Sequence, residues 1–554
     1  MPWHILAASK IKLQINGLSS ILLKETKAQL QTKLELLEKI DQNKATEFCN
    51  EAPTEITKFL KLYGYFNSKV MQCQPKLRGN KWEFFLVIQR RSPLIIQSIT
   101  LKIDGEGKND PALTLPLARL PIRVGDVFEV AKYNSTKQLL FNVANNCGYP
   151  QTALTYKEIK VDLEKNSAAI TLHLDTKQRC YFGTTIFNTS FFDKSFLTKF
   201  LKYKPGDRYS SNMLRSLENS LTNSAFFQQV EIKQNLDKKL RDIPIEIVVT
   251  PKKSQQYVWG LGYGTDTGIR GFLEAKANYL TNTCHSLRSH IQVSEIQNNM
   301  TLHYLIPGNY PPTDLYDLGL TGESLRLKQG DSTVGILGLS YTTSLKDWQQ
   351  TLKISLQYER YNLWGQPYKT SKLALSSLHW SRSKKDDLIK PNRGYNINAS
   401  VIGATKYTLS TSSFLQTQLR AKFMQPLSQK TQLIFNSAIG FTAIDDISQL
   451  PLSLQFYAGG TQSIRGFSYN SIGPGTNLIL GSATLRQQIS KKFYLETFID
   501  TGNVSNNLLG RLARGIGCGI VWRTIIGSVE LTYAKAISRP GSPGMIHLSI
   551  GPEL

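Results

Sequence analysis

From Tyr257 onward the chain alternates apolar with polar residues, and this period of two restricts the fold more than any other feature. Leu352-Lys353-Ile354-Ser355-Leu356-Gln357-Tyr358-Glu359 alternates without a break, as does Gly527-Ser528-Val529-Glu530-Leu531-Thr532-Tyr533. Successive side chains of a strand point to opposite faces. Leu352, Ile354, Leu356 and Tyr358 therefore define an apolar outer face, and Lys353 and Glu359 a wet inner one. Sixteen such runs can be marked, the first near 257–264 and the last near 544–552. Spread over roughly 300 residues they leave about 19 per strand with its connection, which fits a single-chain outer-membrane barrel with an even strand number. A soluble sandwich with one polar face gives no reason for so many long strands. The low mean hydropathy of -0.25 is no obstacle, because only half of each barrel strand is apolar. No run of about 18 consecutive apolar residues occurs, which excludes helices that cross a bilayer.

In lipid only a closed barrel satisfies its backbone, so the first strand must meet the last. The last, with Ile546, Leu548 and Ile550 apolar, is short. The first, Tyr257 to Gly264, carries Gly260, Gly262 and Gly264, and glycine weakens a strand through chain entropy and missing packing. The seam between them is predicted to be the weakest in the barrel.

The part before the barrel repeats. Gly64-Tyr65-Phe66 is echoed by Gly148-Tyr149 and more weakly by Ala225-Phe226-Phe227, and Gly125-Asp126 by Gly206-Asp207. Between these landmarks the periodicity reads as a βααββ unit, clearest in the second copy: strand at 99–103, helix at 134–145, hairpin of 155–163 with 168–174. Gly148 suits the left-handed position after a helix. Three such domains are expected at 10–91, 92–177 and 178–252, with the barrel at 253–554. Each small sheet has exposed edges that invite strand addition by an extended partner.

Six cysteines carry neither C-x-x-C nor zinc-ligand spacing, so no metal or other cofactor is expected. Cys49, placed just ahead of a helix at 51–63, and Cys73 on the returning strand can meet as a disulfide, although two free buried thiols are the expectation. G-x-S-x-G, Walker, H-E-x-x-H and G-x-G-x-x-G motifs are all missing, and His290, His303 and His547 read as polar-face barrel residues, so no enzyme is expected. The formal charge of +25 points to a phosphate-rich lipid surface or an acidic client rather than to nucleic acid. The segment Met1 to Ser9 lacks the charged and apolar regions of a signal peptide, although its small-residue end resembles the last part of one; a truncated start is expected.

The longest interruption of the strand pattern, of about thirty residues, holds Phe456-Tyr457-Ala458-Gly459-Gly460-Thr461-Gln462-Ser463-Ile464-Arg465-Gly466-Phe467, too apolar for a plain linker. Downstream lies Phe498-Ile499-Asp500-Thr501-Gly502, in which Asp500 shares a face with Glu496 and Tyr494, opposite Leu495 and Ile499, and so looks inward. Folded into the lumen, the loop would set Arg465 against this acidic wall, with charge-assisted hydrogen bonds worth roughly 1.5 to 3 kcal/mol each. We take Arg465, Asp500, Gly459, Gly460, Gly466, Phe467, Phe498 and Gly502 as a candidate lumenal latch.

These two motifs resemble the paired signature of the outer-membrane protein assembly and translocation superfamily, which includes BamA and the two-partner secretion transporters. Within it, Tyr257-x-x-Gly260-Leu261-Gly262-Tyr263-x-Thr265-Asp266-x-Gly268-x-Arg270, the loop 456–472, and the end Ile550-Gly551-Pro552-Glu553-Leu554 resemble the TamA family, the outer-membrane subunit of the translocation and assembly module. The three repeats are similar to that family's polypeptide-transport-associated (POTRA) domains. Ala225-Phe226-Phe227 departs from the usual Gly-aromatic stop, and the segment after Ser471 is shortened. The resemblance implies three POTRA domains in the periplasm ahead of a 16-stranded barrel in the bacterial outer membrane. It further implies insertion or export of unfolded autotransporter and other β-rich clients through the seam, and an inner-membrane-anchored TamB-like partner at the first POTRA domain. A dedicated secretion pore for one adhesin is the alternative.

Overall fold

The computed structural model describes residues 11–35, 41–79, 81–117, 119–237, 241–266, 268–327, 330–363, 366–387, 391–507, 510–524 and 528–551. The segment Met1 to Ser9 and the terminal Pro552-Glu553-Leu554 lie outside them.

Three small three-stranded sheets precede the barrel, and each places its third strand at the centre: Lys12–Asn16, Lys81–Gln89, Lys69–Arg78; then Ile95–Asp104, Ser167–Asp175, Ala153–Asp162; then Tyr181–Asn188, Asp242–Pro251, Phe227–Gln234. In the first two the central strand pairs parallel on one side and antiparallel on the other, the pattern of a βααββ POTRA domain. The repeated landmarks do repeated work. Gly125 and Gly206 both have φ near +90°, and each donates its amide to the first strand of its own sheet, at Ile96 O and Phe182 O, both 2.8 Å away. The aspartate that follows each glycine closes the turn, Asp126 accepting from the Arg123 amide and Asp207 from the Lys204 amide. Gly64, Gly148 and Phe226 carbonyls accept from Leu94, Cys180 and Lys252, so Phe226 holds in the third copy the place that glycine holds in the others.

The first domain departs from the sequence reading at its second helix. That helix spans Gln42–Leu62 rather than 51–63, capped by the Asp41 side chain on the Lys44 amide and running through Pro53, whose presence makes the segment read as if it began later. Cys49 thereby lies inside the helix, on the face that buries Phe48, Ala52, Ile56 and Leu60. Cys73 on the strand below comes within 5.3 Å Cα to Cα, and the two form a disulfide where free thiols were expected. The bond closes a loop of sequence separation 24. Replacing both cysteines by serine is expected to destabilise this domain by about 3 kcal/mol, measured by urea unfolding with and without reductant.

The chain divides into two compact units, one holding the first two domains with parts of the third, the other the barrel with residues 187–201 and 219–231. In the second unit Phe191 and Phe192 pack around Tyr279, and the Asp193 amide donates to Asn282 O at 3.0 Å.

Sixteen antiparallel strands, from Gln255–Gly264 to Gly544–Gly551, close into a barrel. The alternation fixes which face is which. On the strand Trp348–Tyr361, Leu352, Ile354, Leu356 and Tyr358 are about half exposed on the outside, whereas Ser355, Gln357 and Glu359 are buried within. No helix among the described residues is long and apolar enough to cross a membrane; the strands supply the apolar outer face.

Candidate lumenal latch and barrel seam

Between the strands Thr431–Ala443 and Asn477–Gln488 the long loop turns inward and lies against the lumen wall. Its apolar residues drive this: Phe456, Ala458, Ile464 and Phe467 are buried with Leu478, Val504 and Ala536 of the wall. The approach is close enough that the wall must lack side chains where the loop touches it. A Cβ on Gly515 would lie 2.0 Å from Arg465 O, and one on Gly440 would lie 2.5 Å from the Phe456 ring. Gly459, Gly460 and Gly466 all have φ between +90° and +108°, left-handed backbone that permits the reversals leading into and out of the tip.

At the tip Arg465 meets Asp500 of the strand Phe493–Ser505 in a bidentate pair. Its Nε donates to Oδ2 and its Nη2 to Oδ1, both at 2.8 Å, and the Arg465 amide adds a third bond to Oδ2 at 3.0 Å. Nη2 also reaches Thr484 Oγ1 at 3.2 Å and Ser482 Oγ at 3.3 Å, and Ser482 in turn donates to Asp500 Oδ1. The guanidinium lies 3.3 Å from the Phe498 ring centre, a cation–π contact. Asp500 is fully buried and Arg465 8% exposed, so neither charge can fall back on bulk water if the other is removed. Phe467 lies beneath the Arg539 guanidinium, and Gly502 sits where a Cβ would meet Ile479 O at 2.4 Å.

Other ties hold the loop at residues that the sequence pattern does not single out. At its base Ser453 donates its amide and hydroxyl to Glu359, a fully buried carboxylate that also accepts from Ser332 and Gln357. Gln416 reaches Leu454 O at 2.8 Å. Nearer the tip, Asp266 Oδ2 accepts from both the amide and hydroxyl of Thr461 at 2.7 Å, and His547 Nε2 accepts from the Gly466 amide at 3.0 Å. Alternation does place Glu359 inside, but nothing local names its partner, which lies 94 residues away. Next to the latch Arg486 pairs with Glu496, a second buried ion pair on the same wall. The loop leaves a lumenal cavity of about 1480 Å³, whose lining includes Arg270, Arg420, Arg465 and Glu496.

The seam is sparse. The first strand makes ten register pairs with its successor and the last makes eight with its predecessor, but across the seam a single pair, Gly264 with Ser549, forms among the described residues. It is supplemented by Thr265 N to Leu548 O at 3.1 Å, Leu548 N to Thr265 Oγ1 at 3.3 Å and Arg270 Nη2 to Ile550 O at 2.7 Å. Gly262 belongs here too, since a Cβ on it would approach Ile550 O to 3.2 Å. Ile546 points outward and pairs with Tyr533 of the preceding strand. Among the described residues, Tyr257 and Gly260 have no partner on the last strand. Tyr257, Trp259 and Leu261 are 64%, 74% and 79% exposed along this edge.

A closed barrel of even strand number, with an apolar outside, a polar lumen and an inward-folded loop, is a transmembrane β-barrel of outer-membrane type. Residues 278–553 match the Omp85 superfamily domain. Among solved structures, BamA from Haemophilus ducreyi lacking POTRA domains 1–3 shares the fold over 83% of this chain and 99% of its own, with a TM-score of 0.67 at 16% identity. CdiB from Acinetobacter baumannii is matched over 83% of this chain and 90% of its own, with a TM-score of 0.49 at 14% identity. A SAM50-like protein of Schizosaccharomyces pombe is 23% identical over 189 residues, which is 29% of this chain and 40% of that protein, so the chain spans less than half of that relative's length.

Proposed function

We propose that this protein inserts or exports β-rich clients at the outer membrane by opening the seam between its first and last barrel strands. The observation that carries this reading is the contrast, among the described residues, between ten register pairs on one side of the strand Gln255–Gly264 and one pair on the other. An edge with unpaired amides and carbonyls is a template that an extended client strand can complete bond for bond. The Omp85 superfamily domain supports the same class of activity.

In its finer form the proposal is a TamA-type subunit whose clients include unfolded autotransporters, with the POTRA domains in the periplasm, and which works without covalent chemistry or a cofactor. Purified protein in lipid vesicles is expected to speed the acquisition of protease resistance by an unfolded autotransporter β-domain about tenfold or more over empty vesicles. Equal rates would contradict the reading.

An inner-membrane-anchored TamB-like partner is proposed to dock on the first domain. That domain has its own core, built on Leu34, Ile56, Leu60, Phe84 and Leu86, and only its edge, at Phe66, packs on the second domain's core, so its removal is expected to leave the barrel folded. Deleting residues 10–91 should leave a folded barrel and abolish recovery of the partner. Full recovery by the truncated chain would move the docking site elsewhere.

A further inference from the structure

The inward loop touches both sides of the seam. Thr461, at one end of its tip, donates its amide and hydroxyl to Asp266 in the turn that follows the first strand. Gly466, at the other end, donates its amide to His547 on the last strand. Between them Arg465 is fixed to Asp500 by three hydrogen bonds. A six-residue tip anchored in the wall thus grips the first-strand turn with one end and the last strand with the other.

The imidazole and the carboxylate also face each other. His547 is 1% exposed, and because Nε2 accepts from Gly466, the proton of the neutral ring sits on Nδ1. That Nδ1 has no hydrogen-bond partner and lies 3.7 Å from Asp266 Oδ1, too far for a bond but close enough for attraction. Asp266 and His547 lie just beyond the Gly264–Ser549 pair, next to the Thr265–Leu548 bond.

We infer that Thr461 to Gly466 form a staple, held by Asp266 and His547 as positioning residues, that keeps this end of the seam shut and makes the seam open from its other end. The physical reason is the order in which bonds must break. To part the strands at Thr265 and Leu548, either Asp266 must leave Thr461 or His547 must leave Gly466, because the tip cannot follow both while Arg465 stays seated. At the opposite end, from Tyr257 to Leu261, no bond to the last strand has to break among the described residues. A client strand therefore enters at that end, where no contact of the staple holds the two strands, and advances toward the staple. Its release is the last step of opening. The inference rests on the proposed opening of the seam, but the staple itself is a property of the protein without a client.

Amide hydrogen exchange on the full chain in lipid tests it. In the unchanged protein the Thr265, Thr461 and Gly466 amides should exchange slowly and together, as one opening unit. Asp266→Ala and His547→Ala should each speed exchange at Thr265 by about tenfold or more, the scale of one lost hydrogen bond to a charged or buried partner. His547→Gln, whose amide oxygen can still accept from Gly466, should stay within about threefold of the unchanged rate. If Thr461 and Gly466 speed up in the alanine variants while Thr265 does not, the loop merely rests on the seam and the staple is wrong. Should the alanine variants not fold, the unchanged chain decides: Thr265 exchanging well ahead of Thr461 and Gly466 overturns the staple. A staple that passes while a crosslinked seam still inserts clients would refute the opening mechanism and leave the staple standing.

Discussion

Arg465→Ala will give a barrel that unfolds at markedly lower urea concentration, with a loss of about 3 to 5 kcal/mol. The size follows from burial. Asp500 is fully buried and accepts two bonds from the Arg465 guanidinium, so truncating the arginine strands a carboxylate whose remaining partners are the backbone amide of residue 465 and the Ser482 hydroxyl. The loop loses its seat at the same time, and with it the packing of Ile464 and Phe467 against the wall. Asp500→Ala should cost a similar amount by stranding the cation instead. The double variant should fall short of the sum by about 1 to 3 kcal/mol, since each single change already removes the shared interaction. Gel mobility of the folded barrel against urea gives all four corners of this cycle. A double loss equal to the sum of the single losses would remove the pairing from the account.

The strand pattern is legible in the sequence because the membrane makes it so. Each strand has lipid on one side and a wet lumen on the other, so its alternation is not blurred by a mixed environment, and sixteen runs can be marked before any pairing is known. The repeats are legible through glycines such as Gly125 and Gly148, whose positive φ admits few other residues. For the same reason Asp500 can be placed on the inner face from its neighbours alone, opposite Leu495 and Ile499, which are 42% and 49% exposed on the outside.

What stays illegible is pairing over distance. The Ser453–Glu359 and Gly466–His547 contacts join positions 94 and 81 residues apart, and no local pattern selects one acceptor among many inward polar residues. The seam register is hidden for a related reason. Glycine-rich strands carry little side-chain pattern to fix register, so nothing in Tyr257 to Gly264 selects the observed pairing of Gly264 with Ser549. The start of the helix that carries Cys49 is hidden for a different reason: a proline inside it, Pro53, interrupts the helical pattern, yet the helix runs through it, held from Asp41 onward by its cap and its buried face.

The seam carries the account of function, and the observed register supplies the means to lock it. Gly264 and Ser549 are the paired residues, so Gly264→Cys with Ser549→Cys places two thiols across the only ladder pair found there among the described residues. Tyr263→Cys with Ile550→Cys, one position along the antiparallel register, is the companion pair should the glycine site not accept a side chain. Exposed Cys518 is changed to serine in both. Oxidation should leave a folded barrel, because it reinforces a contact already present, while preventing the complete parting of the two strands on which client insertion depends. The decisive measurement is client insertion by the oxidised protein in vesicles, scored by protease resistance of an autotransporter β-domain before and after reductant. We predict a fall to the rate of empty vesicles when oxidised and full recovery on reduction. Undiminished insertion with the seam quantitatively crosslinked would contradict lateral opening.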